Sequence, residues 1–188
     1  DARKLAHKLS QWSREISPDY EKTGQRFAIM TGAGPGIMEA ANRGAYEVGV
    51  PSIGMSIEIP GEIQSNAYID KDLLFKFHYF FMRKFWLTYM AKAIVICPGG
   101  FGTLDEMFEI ITLVHTGKIR HPLPILIMGK EHWNDIINFD ALVSRGVVRT
   151  IDNNLFFSTD DVEEGFSWLK DQLVTWALKH PEMGISNS

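Results

Sequence analysis

The run Pro98-Gly99-Gly100-Phe101-Gly102-Thr103-Leu104-Asp105-Glu106 joins a glycine-rich turn to two adjacent carboxylates. It leaves a short apolar stretch, Ala93-Ile94-Val95-Ile96-Cys97, and opens into a helix. Glycines let a backbone approach a ligand closely and aim N–H groups at an anion. The positive end of the following helix adds to that attraction. A phosphate cradle with an acid one helical turn away is the equipment of a site that grips a nucleotide phosphate and reacts beside it. A second turn, Thr31-Gly32-Ala33-Gly34-Pro35-Gly36, follows another apolar run, Phe27-Ala28-Ile29-Met30. It is not the dinucleotide fingerprint, because G-x-G-x-x-G counted from Gly32 needs glycine where Ile37 stands. Neither turn ends in the Gly-Lys-Ser/Thr of a Walker loop. A tight strand-to-helix connection can by itself account for Gly32, Gly34 and Gly36.

These turns need elements to hold them. Leu5, Leu9, Trp12 and Ile16 recur at helical spacing and predict a helix over Arg3–Ile16. The run Phe27–Met30 predicts a strand, and Ile37–Val48 a helix that Gly49 is placed to stop. Ser52–Ile59 predicts a second strand and Gly61–Lys71 a polar loop. The aromatic-heavy segment Leu73–Ala91 is read as extended at its start and helical from Phe81. Beyond it come a strand over Ala93–Cys97, a helix over Thr103–Thr116, a strand over Pro124–Met128 and a helix over Trp133–Arg145. Phe156-Phe157 lies in a short strand, and Asp161–His180 predicts a closing helix. Continuous apolar strands alternating with helices predict one α/β domain over residues 1–188, a doubly wound parallel sheet with helices on both faces. Ligands bind beyond the carboxyl ends of such strands, so both glycine turns are expected to border one composite pocket.

Composition excludes several classes. The formal net charge of -4, with no basic run, argues against a nucleic-acid partner. No uninterrupted apolar stretch reaches membrane-spanning length, so no membrane partner is expected. The single cysteine, Cys97, leaves no internal disulfide and no multi-thiolate zinc site, and fits a reducing, cytoplasmic compartment. In its apolar strand it reads as a buried structural thiol. His78, His115, His121 and His132 lack metal-ligand spacing, so no metal is expected. The chain begins Asp1-Ala2-Arg3, without an initiator methionine, so any upstream targeting segment is invisible.

Three stretches taken in order carry a resemblance: Gly34-Pro35-Gly36-Ile37-Met38-Glu39-Ala40-Ala41-Asn42-Arg43-Gly44-Ala45, then Met82-Arg83-Lys84, then Pro98 to Glu106. Together they closely resemble the Lonely Guy (LOG) family, whose members are often labelled lysine decarboxylases. The similarity runs from about Phe27 to the final helix. Its hallmark is Pro-Gly-Gly-x-Gly-Thr-x-x-Glu, met by Pro98–Glu106. The resemblance implies a Rossmann-like fold, a homodimer, and hydrolysis of the N-glycosidic bond of nucleoside 5′-monophosphates to a free base and ribose 5-phosphate. AMP and cytokinin riboside monophosphates are the implied substrates. Family chains begin with a strand and a small-residue turn before the first helix, whereas this chain begins at the helix.

By the same resemblance Glu106 is the catalytic acid and Arg83 its partner. Cleaving a ribosyl–nitrogen bond places positive charge on the sugar, which a carboxylate stabilises while orienting water. Arg83 stays protonated, so its task is to hold the sugar-phosphate and fix Glu106. Lys84, about 100° away on a helix, is the weaker cation. Gly99, Gly100, Gly102 and Thr103 form the expected phosphate cradle. Glu39 is placed to accept from ribose or base, and Gly34 and Gly36 to admit the nucleotide. Met38 reads as pocket wall or core. Ser65 and Asn66 match the family's substrate-facing loop only loosely. The aromatic segment, larger than one helix face needs, is expected to build the dimer interface. No organic cofactor is needed. Lysine decarboxylation would require pyridoxal phosphate on a Schiff-base lysine, and no convincing lysine is present. A rival class remains open: a non-catalytic nucleotide-binding protein or molybdenum-cofactor carrier, for which keeping both Arg83 and Glu106 has no use.

Overall fold

Apolar runs bounded by turn residues become parallel strands, and the stretches between them with helical spacing become helices. The computed structural model describes residues 1–17, 27–58, 65–148 and 155–178. The chain divides into two compact units, Asp1–Met90 and Ala91–Ser188. Each holds a three-stranded, all-parallel sheet flanked by helices, the α/β Rossmann-like character expected from the sequence.

In the first unit α1 (Ala2–Glu15) precedes β1 (Ile29–Thr31), α2 (Ile37–Tyr46), β2 (Ser52–Ile57), a 3-10 turn at Lys71–Leu73, β3 (Leu74–Phe77) and α3 (Phe80–Tyr89). The strand order is β1-β2-β3, with Met30 opposite Ile53 and Met55 opposite Phe75. The apolar face of α1 buries Leu5, Ala6 and Trp12, and Trp12 stacks on Phe27 with centroids 5.5 Å apart. Gly44 sits where α1 crosses α2. A β-carbon there would overlap the Arg3 carbonyl oxygen and lie 2.8 Å from His7 N, so only glycine permits this approach. Arg3 Nη2 and Arg43 Nε brace the pair by donating to Glu47 at 2.6 and 3.0 Å, and the Arg3 bond leads in holding the Glu47 carboxyl below its ordinary value. Gly49 stops α2 as expected: its φ is 71°, its N–H bonds Tyr46 O, and the Val50 N–H reaches Ala45 O. The aromatic segment is extended and then helical, with the helix beginning at Phe80 rather than Phe81. Ile59 and residues 60–64 of the expected strand end and loop lie outside the described residues.

The second unit runs β4 (Ile94–Ile96), α4 (Phe101–His115), β5 (Ile125–Ile127), α5 (Lys130–Ile136), α6 (Phe139–Ser144), β6 (Phe157–Ser158) and α7 (Val162–Thr175), with strand order β4-β5-β6. All three residues of β5 are buried, and its alternation serves both faces. Ile125 and Ile127 join Met107, Ile110 and Trp133 in one core, while the Leu126 side chain lies against Gly165 of α7. Two expectations need correction. The helix expected over Trp133–Arg145 is two helices: Ile137 is extended, and the Asn138 side chain accepts the Ala141 N–H at 2.8 Å, starting a new helix. The helix expected from Thr103 begins at Phe101, because the Gly100 carbonyl already accepts the Leu104 N–H. Gly102 therefore lies inside the first helical turn. Asp161 caps α7 by accepting the Glu163 and Glu164 N–H groups, and Lys179 and His180 of the expected helix lie outside the described residues. No helix among the described residues is long and apolar enough to cross a membrane.

Candidate active site

Both glycine turns leave the carboxyl end of a parallel strand, β1 in the first unit and β4 in the second. In the first unit a buried polar network supports the turn. Asn42, fully buried on α2, accepts from Thr31 Oγ1 at 2.6 Å and from Asn66 Nδ2 at 3.0 Å, and donates to Ser52 Oγ at 2.9 Å. Thr31 Oγ1 accepts the Ala33 N–H at 3.0 Å, and Asn66 Nδ2 donates to the carbonyls of Ala33 and Gly34 at 3.2 and 3.1 Å. This network holds Ala33, a non-glycine residue, at φ 69°. Asn66 thus buttresses the turn from within. Asn42 was missed by sequence reasoning because a polar residue inside an alanine-rich helix looks like a solvent-facing one.

The glycines of this turn have reasons internal to the chain. Gly36 has φ 71°, and a β-carbon on Gly34 would lie 2.5 Å from Met38 Cε. Met38, part wall and part core by expectation, folds over Gly32 and Gly34 with 40% of its surface still exposed. Arg83 on α3 is brought to the same turn: a β-carbon on Gly32 would lie 3.8 Å from its Nη1. Its guanidinium also lies 5.7 Å from the centre of the Phe80 ring. Glu39 is in the first turn of α2, half-buried, where a carboxylate complements the helix dipole. Lys84 is half-buried beside Arg83 in sequence.

In the second unit Gly99, Gly100, Gly102, Thr103 and Glu106 lie on one loop and the first turns of α4. A β-carbon on Gly99 would overlap Thr103 Oγ1, so the threonine packs directly on that glycine. Gly100 and Gly102 differ. Neither has a positive φ, and among the described residues a β-carbon on either would meet nothing within 4 Å. Glycine inside a helix costs about 1 kcal/mol relative to alanine, so the chain itself gives Gly102 no reason to be glycine. A bare strip of backbone at a helix N-terminus fits close approach by an anion. Glu106 follows Thr103 by three residues, on the same side of α4, and is half-buried. Cys97 is partly buried, and burial pushes its thiol up. Sequence reasoning looked at His132 only for metal spacing, yet its Nε2 lies 3.2 Å from the Gly99 carbonyl oxygen. Among the described residues no three His, Cys, Asp or Glu side chains cluster to hold a metal ion.

A family model described as "Possible lysine decarboxylase" matches residues 38–169, a span that holds Glu39, Arg83, Lys84 and the whole Pro98–Glu106 loop. The chain belongs to the LOG family. Among LOG proteins it is 26% identical over 142 residues to the probable cytokinin riboside 5′-monophosphate phosphoribohydrolase LOG4 of Oryza sativa subsp. japonica, covering 72% of this chain and 59% of that protein. It is 26% identical to the cytokinin riboside 5′-monophosphate phosphoribohydrolases LOG7 and LOG1 of Arabidopsis thaliana. Those alignments cover 77% and 88% of this chain, and 66% and 78% of the relatives. The chain thus spans under two thirds of the first two relatives. The X-ray structure of the structural-genomics target TM1055 shares the fold with TM-score 0.62 at 19% identity, over 90% of this chain and 85% of that one.

Proposed function

We propose that this LOG-family chain hydrolyses the N-glycosidic bond of a nucleoside 5′-monophosphate, AMP or a cytokinin riboside monophosphate, to free base and ribose 5-phosphate. The observation that carries the reading is the bare backbone at Gly102, where none of the described residues explains glycine and an approaching 5′-phosphate does; Gly100, the N-cap of α4, lies equally open beside it. The names of the relatives supply the reaction class. In this reading the loop amides and the Thr103 hydroxyl hold the phosphate. As the C1′–N bond breaks, positive charge grows on the ribose. The Glu106 carboxylate stabilises it and orients the water whose oxygen bonds C1′, and the water proton leaves with the base. Arg83 holds the sugar-phosphate, with Lys84 as a secondary cation. Glu39 accepts from ribose or base, and Gly34 and Gly36 admit the nucleotide. The reaction balances without a cofactor.

Lysine decarboxylation fits less well. Burial lowers the Lys92 ammonium pKa, the direction a Schiff-base lysine needs. Lys92 nevertheless precedes β4, whereas the glycine loop follows it. At ~3.3 Å per extended residue that three-residue strand sets the two ends about 10 Å apart. We further propose that the protein is a homodimer through the aromatic face of α3, and that it works in the cytoplasm, where Cys97 stays reduced.

The test is base and ribose 5-phosphate release from a panel of nucleoside monophosphates, wild type beside Glu106→Gln. Release by wild type is expected, with kcat reduced about 10²–10³-fold in Glu106→Gln while nucleotide binding persists. Nucleotide binding without release by wild type would favour a carrier instead.

A further inference from the structure

The same loop that is bare above Gly100 and Gly102 is pinned at several points within its own unit. His132, half-buried on α5, places Nε2 3.2 Å from the Gly99 carbonyl oxygen. A carbonyl only accepts, so Nε2 carries the proton and donates. The imidazole stands edge-on to Trp133 at 4.8 Å between centroids, and Trp133 is itself buried with its Nε1 donating to Met128 O at 2.9 Å. The start of α5 is tied down in turn. The Asp160 carboxylate accepts the N–H groups of Gly129 and Lys130 at 2.6 and 3.0 Å. Gly129, at φ 90°, lies so close to the loop that a β-carbon would overlap the Pro98 ring. Asp160 therefore holds the helix start, and the helix carries the histidine to the loop.

A trans peptide is planar, so the Gly99 C=O and the Gly100 N–H point in opposite directions. A carbonyl drawn toward α5 turns the Gly100 N–H away from α5. We infer that His132 is a positioning residue for nucleotide binding: by donating to the Gly99 carbonyl it fixes the Gly99–Gly100 peptide so that the Gly100 N–H faces the substrate's 5′-phosphate. This rests on the nucleoside monophosphate reading above. It assigns His132 no contact with the substrate and no proton transfer.

The experiment compares wild type, His132→Phe and His132→Gln by calorimetric titration with AMP, ribose 5-phosphate and unphosphorylated adenosine, together with KM, kcat and Tm. Phenylalanine keeps a ring and loses the donor, whereas glutamine keeps a donor. His132→Phe is expected to weaken AMP and ribose 5-phosphate binding about fivefold to tenfold, the worth of one well-placed hydrogen bond. KM should rise with it, while kcat and adenosine binding stay near wild type. His132→Gln should recover most of the phosphate affinity. Unchanged AMP affinity in His132→Phe, or losses in both variants that merely track Tm, would overturn the inference while leaving the hydrolase reading standing. A wild type that binds none of the phosphorylated compounds would overturn both.

Discussion

Gly99 and Gly102 stand three residues apart in one loop, and they are glycine for different reasons. Gly99 is glycine because Thr103 occupies the space a β-carbon would take. Gly102 lies in a helical turn with open space above it, where the chain itself would favour alanine. Gly102→Ala is therefore expected to stabilise the fold by up to about 1 kcal/mol and yet weaken nucleotide binding at least about tenfold. Thermal unfolding and AMP titration read the two effects separately. A variant that gains stability and keeps wild-type affinity would show that no ligand approaches that strip. Sequence alone located this loop and its acid, since glycine spacing and a carboxylate survive as letters. It could not separate the glycines by cause, because the neighbour over Gly99 and the emptiness over Gly102 exist only in three dimensions. Nor could it see His132, whose partner is a backbone carbonyl 33 residues away in sequence. The first turn carries the opposite lesson. Its glycines are accounted for by the φ of Gly36 and the packing of Met38, so their presence says less about a ligand than the sequence motif implies.

Elements were legible wherever a period or a punctuating residue marked them. Gly49 ended α2 as read, and the buried run of β5 declared a strand covered on both faces. Where the marker was a side-chain cap, periodicity misled: Trp133 to Arg145 keeps helical spacing, yet Asn138 caps a new helix in its middle. The most consequential polar group is also at this scale, because Asn42 ties α2 to β1, to β2 and to the Asn66 loop at once. Removing its amide would take the acceptor from the Thr31 hydroxyl and the donor from Ser52 Oγ, and would leave Asn66 Nδ2 only the Ala33 and Gly34 carbonyls. Asn42→Ala is thus expected to cost about 2–4 kcal/mol, beyond the usual range for an exposed helical asparagine. Urea unfolding measures it. A loss under about 0.5 kcal/mol would mean that the network does not hold the turn. Because the same network fixes the Ala33 and Gly34 carbonyls, a folded Asn66→Ala variant should lose nucleotide affinity before it loses much stability.

For the whole molecule, the alternation of apolar strand runs with helical spacings announced an α/β chain, and no Pro-, Gly- or Ser-rich linker marks the boundary at Met90 between its two compact units. The feature that bears on the proposed homodimer is α3. None of its ten residues is buried, although most are large and apolar. Phe85 stacks on Tyr89 with centroids 5.2 Å apart, Tyr79 stacks on Phe81, and Trp86 stands edge-on to both Phe85 and Tyr89. The rings already hold one another, so little side-chain entropy remains to be lost on docking. Phe75, Tyr79, Phe80, Phe81, Phe85, Trp86 and Tyr89 are each roughly half exposed. At 150–250 Å² per ring they leave about 700 Å², close to the ~800 Å² that each partner of a standard interface buries. The helix carries no acidic residue, and its two cations, Arg83 and Lys84, are half-buried. A face of this kind meets its own copy across a two-fold axis without opposing exposed charges, whereas a charged peptide or nucleic acid would find nothing to pair with. Light scattering should therefore give twice the chain mass at micromolar concentration. Phe81→Glu, which places a carboxylate on the most exposed ring position of the helix, should halve that mass without lowering the unfolding temperature of the monomer's core. A wild type that is monomeric at that concentration would remove the second copy as the occupant of this face.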